Sequence, residues 1–519
     1  MKVSNKHIKT NMKRNIRFCV TSVATLVCSI FVSVACEKSP VTEPEPEQPA
    51  ELVPIVLTAP ENGTSIDLVN AEPVVFSWKN AKGVNSYKIR FSRSADLSKP
   101  YDVRAMSNPV SYKYKAFDGF LEALGVKNEE TATIWWSVIA SDKEDKFDKQ
   151  VRSLTVKRLP AGPEEPYEQR IADPITVKVA ILYEDPIMPG TDKYMHEVCT
   201  VGGNGYKWND PVQQAKKFET DLEEASHGVI QYEVVKEVRA ERLFSYDNTK
   251  TGSEKEYFSI EYFRDVIYAN GHECPGIGSG VEYDYVGMLK YYGFDKMRDA
   301  GEIQEVWVYN HPGCGMYESR LIGDGAFWCN SPGISVGAPC KDLVTVMFCN
   351  YERTTDLALH SYGHRFESIM KQVYGSWRNR ADNNLPARES ELNNWERYAC
   401  HNLEYDRYEK GHAQIGCTHF PPNGRYDYDY DNRADYVYTY ADCWYDYPKM
   451  VMANPRRVNS SEWKNGQQGW MMYFFSHMPH FKGINEDVND LHLNNWWYYV
   501  VDWNAAKKYE RELRNNYEE

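Results

Sequence analysis

The sequence predicts a multidomain chain, with an all-β sandwich followed by an α/β or α+β domain whose C-terminal part is rich in aromatics. Three observations predict it. From about Val53 to Pro160, short alternating runs are split by Gly, Pro, Asn and Asp, which is the pattern of strands and turns. Beyond Ile175, β-branched runs alternate with helical repeats, which is the pattern of a sheet flanked by helices. Between the two, "AGPEEPYEQR" is acidic and proline-bearing, a linker composition. A length of 519 residues also exceeds one ordinary domain. The boundaries expected are 1–36 for an export signal, 37–52 for a stalk, 53–160 for the sandwich, 161–172 for the linker and 173–519 for the second domain.

The N-terminus reads as a targeting segment. Lys13, Arg14 and Arg17 precede the apolar run "FCVTSVATLVCSIFVSVAC", which closes on small residues at a cysteine. "SVAC" resembles the lipobox of bacterial lipoproteins. That resemblance implies a diacylglyceryl group on Cys36 and anchorage in the outer membrane, facing the periplasm or the cell surface. No later run approaches the ~20 apolar residues that span a bilayer. After Cys36, "EKSPVTEPEPEQPAE" alternates Glu and Pro, cannot build a core and favours extended chain. Nine further cysteines (Cys199, Cys274, Cys314, Cys329, Cys340, Cys349, Cys400, Cys417 and Cys443) make disulfides expected in an exported chain. The net charge of -14 argues against nucleic acid, because no basic stripe is available to neutralise phosphates.

In the first domain, "EPVVFSWKNAKGV", "NSYKIRFSRSADL", "TATIWWSVIASD" and "QVRSLTVKRL" are the principal strands. Their order, with Trp78 early and "WWSVIASD" late, resembles fibronectin type III-like modules, and more specifically the N-terminal domain of SusE/SusF-type outer-membrane lipoproteins. That resemblance implies a spacer or glycan-associated module, not an enzyme. In the second domain, "ITVKVAILY", "VIQYEVVKEV" and "IQEVWVYN" read as strands. "DPVQQAKKFETDLEEASHG" reads as a helix, with Asp210 as N-cap, Pro211 at the first helical position and Gly228 as the stop. "DYVGMLKYYGFDKMRDAG" reads as one further helix.

"TTDLALHSYGHRFESIM", residues 354–370, carries the chemistry. At 100° per residue, Asp356, His360, His364 and Glu367 share an arc of about 80°. Leu359, Tyr362, Phe366, Ile369, Met370 and Val373 lie opposite. Two histidines four apart on one helical face can reach a single zinc ion. "HSYGHRF" resembles the active-site helix of zincin metallopeptidases of the "HEYGHxF" kind, which implies His360 and His364 as zinc ligands. Ser361 stands where those enzymes carry the general base, and a serine does not accept a proton near neutral pH. Candidate third ligands are His311, His401 and His419. Glu318 and Glu367 are candidate bases, with Glu367 better placed on the helix to orient an imidazole. "HSYGHRFES" with "HFPPNG" and "DYDYDN" also resembles a group of secreted bacterial proteins, a likeness that implies no activity.

Two weaker patterns complete the set. "DYDYDNRAD" places Asp427, Asp429, Asp431 and Asp435 at alternate positions, with Asn432 where a calcium loop turns, and it resembles the start of an EF-hand-like calcium site. The same alternation fits an acidic strand with its tyrosines turned inward. "DCWYDYP", "GWMMYFFSHMPHF" and "LNNWWYYVVDW" offer either sugar-stacking platforms or core. The expected function is a metal-dependent, peptidase-like hydrolase at the cell surface, active or inactivated by Ser361, acting on extracellular protein or polysaccharide. The alternative is a non-enzymatic glycan-binding lipoprotein of SusE/SusF type.

Overall fold

Alternation along the strands builds the first domain. In Val74–Lys79 the side chains of Val74, Phe76 and Trp78 are buried while Val75 and Lys79 face solvent, so one face of the strand must be covered. In a computed structural model of the chain, that cover is a second sheet. Val56–Ala59, Val74–Lys79 and Val110–Tyr112 form one sheet. The other runs in the order Thr64–Asp67, Arg152–Lys157, Thr131–Ala140, Tyr87–Ser92, Tyr101–Ala105. Phe76 meets Trp136 edge-on at 4.9 Å, with Phe91 and Phe117 beside them. The helix Tyr114–Ala123, which closes one side of this core with Phe117, Phe120 and Leu121, was not expected from the sequence.

The structure describes residues 55–518 apart from 71–72, 106, 142–148, 162–164, 203–204, 251–254, 273–279, 379–390, 402–411 and 453–454. The export signal, Cys36, the stalk and Cys274 lie outside the described residues. Among the described residues no helix is long and apolar enough to cross a membrane. The segment expected as a linker is helical over Tyr167–Arg170. Tyr167 bonds His480 and Arg170 lies over the ring of Phe481, so this part is docked rather than loose.

The second domain is a three-layer α/β arrangement. Ile230–Arg239, Ile175–Tyr183, Glu305–Asn310 and Val344–Asn350 are parallel neighbours, and Ser319–Ile322 adds an antiparallel edge. Alternate residues of Glu305–Asn310 serve opposite faces: Trp307 and Tyr309 enter the larger core, Val306 and Val308 the smaller one. The helix Pro211–Ala225 starts on Asp210, whose carboxylate accepts from the Val212 amide, as expected. The single helix expected over 284–301 is two, Tyr285–Tyr292 and Phe294–Asp299, because Gly293 turns left-handed between them.

Helix Thr355–Tyr374 crosses the larger core under Gly466–Ser476 and Trp496–Val501. Its polar arc is not a solvated face: His360 and Glu367 are buried, and so is Arg365 outside that arc. Arg365 forms a two-pronged ion pair with Glu305, both bonds at 2.8 Å and both side chains fully buried. A buried charge without its partner is strongly unfavourable, so this pair fixes the rotation of the helix on the sheet. The aromatic clusters of the C-terminal part are core, since Trp444, Trp470, Trp496 and Trp497 are fully buried. They are not sugar platforms.

The expected disulfides are not formed at Cys329, Cys340 and Cys349. Each is a buried thiol, and burial pushes all three well above the usual thiol range.

Candidate metal centre

The site assembles where the histidine helix meets the loop 417–430. His360 and His364 come from successive turns of the helix and His419 from the loop. The loop approaches the helix closely at Gly363, where a Cβ atom would stand 2.6 Å from the Thr418 hydroxyl and 2.7 Å from the Met471 methyl. Any larger residue there would force Thr418 and Met471 to shift. Glu367 clamps the same junction: one carboxylate oxygen meets His364 Nδ1 at 2.8 Å and the other accepts from the Thr418 amide at 2.7 Å. Tyr430 and Trp470 both donate to the Thr418 carbonyl.

His364 Nε2 lies 3.1 Å from His360 Nε2 and 3.0 Å from His419 Nε2. Ligands ~2.0–2.1 Å from a tetrahedral zinc ion stand about 3.3 Å apart, so the trio is nearly pre-formed for one. The chemistry of the donors agrees. A carboxylate only accepts, so His364 Nδ1 carries the proton and its Nε2 offers a single lone pair. Two further imidazole nitrogens crowd that lone pair, and a cation among them would satisfy all three. The residues present fit a zinc-like ion.

Electrostatics favour neutral rings at two of the three positions. Burial, helped by His364 and His419, pushes His360 down to about 3. Burial and the His364 ring also lower His419. Burial presses on His364 too, but the Glu367 carboxylate outweighs it and the net shift is upward. Glu367 itself is held below the usual carboxylate range, since His364 outweighs its burial. The Nδ1 proton stays with Glu367, and in acid a second proton on Nε2 competes with a cation for that lone pair, so cation binding is coupled to pH.

Of the five histidines singled out in the sequence, the structure brings together His360, His364 and His419. His401 lines the adjoining pocket, flat against Phe420 at 4.6 Å, outside the trio. His311 is fully buried against Phe263, with Nδ1 3.1 Å from the Pro312 carbonyl. The end of its strand is packed beneath the helix Ile260–Ala269 rather than opening as a crevice. Glu367 orients His364 and is not an available base. Glu318 is half-buried, accepts from Asn330 at 2.5 Å, and acts electrostatically on both His364 and Tyr428.

The calcium expectation meets a different geometry. Asp429 and Asp435 are bonded by Asn432, and Arg425 bonds Asp429 through its amide and Asp435 through its guanidinium. Asp427 turns to His419 at 3.4 Å. The left-handed residue is Tyr428, not Asn432, and the segment is a set of turns rather than a strand. These acids brace the loop that carries His419 instead of converging on one point.

Sequence reasoning missed the walls of the site. A cavity of ≈ 360 Å³ adjoins His364 and His419 and is lined also by Trp328, Asn330, Ser368, Lys371, Trp377 and Phe420. Trp328 is 60% exposed. Tyr428, also exposed, stacks over His360 at 5.7 Å and lies tilted against His419 at 4.5 Å. Their signal in the sequence was only that of aromatics in loops.

With this geometry in view, one comparison locates the chain. Residues 37–139 match the SusE outer membrane protein family. The match covers about a fifth of the 519 residues, the stalk and most of the β-sandwich, and stops before the histidine trio. It makes the N-terminal region SusE-type and the chain a surface lipoprotein of the outer membrane. No curated protein matches the chain significantly.

Proposed function

We propose that this surface lipoprotein binds glycan in the pocket beside its trihistidine centre, without cleaving it. The observation that carries the reading is the pocket's lining, in which the open indole of Trp328, with Trp377 and Phe420, provides apolar faces for sugar rings. Asn330 and Ser368 provide groups that bond hydroxyls. The SusE-type N-terminal region supports the same assignment, and so does Ser361, which leaves the usual position of the general base without a carboxylate. His360, His364 and His419 would hold a zinc-like ion, which supplies Lewis acidity when bound, while Glu367 keeps His364 in register. The β-sandwich would serve as a fibronectin type III-like spacer between anchor and pocket. The test is binding of the purified full-length lipoprotein to immobilised polysaccharides. Trp328→Ala should weaken retention about tenfold, as expected for loss of a stacking partner. Retention unchanged by Trp328→Ala, or no retention by the wild type, would remove the reading.

A second reading is favoured by one observation, the gathering of His360 and His419 Nε2 within 3.1 Å of His364 Nε2. In it the centre is a zincin-related, metal-dependent hydrolase, with Glu318 as the base that Ser361 is not. Zinc-dependent cleavage of a peptide or glycan library, abolished by Glu318→Gln, would establish it. No cleavage in the zinc-loaded protein would remove it.

A further inference from the structure

The pocket is polarised along the histidine helix. His364, Glu367, Ser368 and Lys371 all line it. His364 and Lys371 are seven residues apart, about two turns or ~10.5 Å along the axis. Helical side chains lean toward the N-terminus, so the Lys371 stem points back over Glu367 toward the metal centre.

The charges around the pocket differ in their commitments. Glu367 is held by His364 and the Thr418 amide, Glu318 by Asn330, and Asp427 by His419. The neighbouring guanidinium of Arg378 is paired with Glu396. Lys371 is exposed and, among the described residues, has no ion pair or hydrogen bond. In a chain of net charge -14, an unpaired ammonium lining an aromatic pocket is a feature to be explained. Lone lysines on open surface are ordinary; this one lines a cavity that an exposed tryptophan also lines.

We infer that the pocket selects acidic sugar, with the carboxylate of a uronate residue held by Lys371 while linked rings extend along Trp328 and Trp377 toward the trihistidine centre. The ~10.5 Å between Lys371 and His364 along the axis accommodates about two linked pyranose rings. In the metal-free protein the anion belongs at the Lys371 end, where the lining carries an ammonium. An ammonium–carboxylate contact inside a pocket is charge-assisted and stronger than a neutral hydrogen bond. It would therefore discriminate an acid from its ester.

The inference rests on the glycan reading above, and its test separates the two. Trimers of galacturonate, glucuronate and mannuronate, each as free acid and as methyl ester, are titrated into the full-length lipoprotein by calorimetry, beside neutral hexose trimers. At least one acid should bind about tenfold tighter than its ester, the scale of one charge-assisted bond. Lys371→Gln should remove that difference by weakening the acid about tenfold, and Lys371→Arg should keep it. Equal affinity for acids and esters, neutral trimers binding best, or a preference that survives Lys371→Gln would overturn the inference and leave the glycan reading standing. No binding by any trimer would overturn both.

Discussion

The molecule holds two trios of histidines, and they behave differently. His360, His364 and His419 turn their Nε2 atoms to a common point, with a carboxylate behind the middle ring. His227, His477 and His480 also lie together, with His227 stacked on His480 at 4.4 Å, but at least one nitrogen of each is spent elsewhere. His227 Nε2 donates to the Ser476 carbonyl, His477 Nδ1 to Tyr473, and His480 Nδ1 to Met478. The remaining nitrogen of His480 accepts from the Tyr167 hydroxyl. Proximity of imidazoles is therefore not what makes a metal site. Convergent lone pairs do, and those require a partner on the far nitrogen that leaves the near one bare.

The largest expected difference is in metal content. His360→Ala or His364→Ala should abolish stoichiometric zinc after exposure at pH 7.5, read by elemental analysis of the purified protein. His477→Ala and His480→Ala should keep it and lower thermal stability instead. Zinc lost from the second pair and kept by the first would reverse the comparison. Glu367→Gln should come next, weakening zinc about 10–100-fold, the usual cost of removing an outer carboxylate from a ligating histidine. An amide there still accepts from His364 but no longer favours the proton on Nδ1 by charge.

Acid should act on the two trios in distinct ways. Burial pushes His477 and His480 down to about 4. Their unfolded value is near 6.5, so between about 6.5 and 4 the unfolded chain binds more protons and stability falls as pH falls. Each ring should contribute on the order of 1–3 kcal/mol to that acid limb, and His480→Gln should flatten it in thermal melts at stepped pH. A melt curve of unchanged slope would show that His480 protonates without unfolding its neighbours. At the metal trio the effect of acid should be release of zinc, because a second proton on His364 Nε2 competes for its lone pair.

Much of the first trio was legible in the sequence. The four-residue spacing and the apolar stripe opposite it are local features, and the helix forms as read. His419 was only one of three candidates, because the 55 residues separating it from His364 are bridged by tertiary contacts at Gly363 and Thr418 that no local pattern encodes. His311 misled for the same reason, since a strand end in an α/β sheet is often a ligand site and here is packed over. The aromatic clusters were ambiguous because Trp and Tyr serve cores and surfaces alike, and burial alone separates Trp497 from Trp328. The break at Gly293 was signalled by the glycine, but the periodicity continues across it.

The smallest effect should come from Ser361→Ala, and its contrast with Ser361→Glu bears on what the first trio is for. Ser361 is 2% exposed, so the position that would carry the zincin glutamate has almost no access to solvent. Ser361→Ala removes one hydroxyl and should leave zinc affinity within about twofold and stability within ~1 kcal/mol. By the zincin resemblance alone, Ser361→Glu would restore a water-activating carboxylate. Burial makes a different outcome expected: a larger, charged side chain there must either be accommodated by shifting packed neighbours or stay protonated, so it should cost about 1–3 kcal/mol or more. Thermal melts and zinc titrations of the two variants decide between them. A Ser361→Glu protein as stable as the wild type, with new zinc-dependent cleavage, would place the trihistidine centre with catalytic sites. A destabilised Ser361→Glu protein without cleavage, beside a Ser361→Ala protein of unchanged zinc affinity, would leave the centre as a binding site whose ligands are set by Glu367 and Gly363 alone.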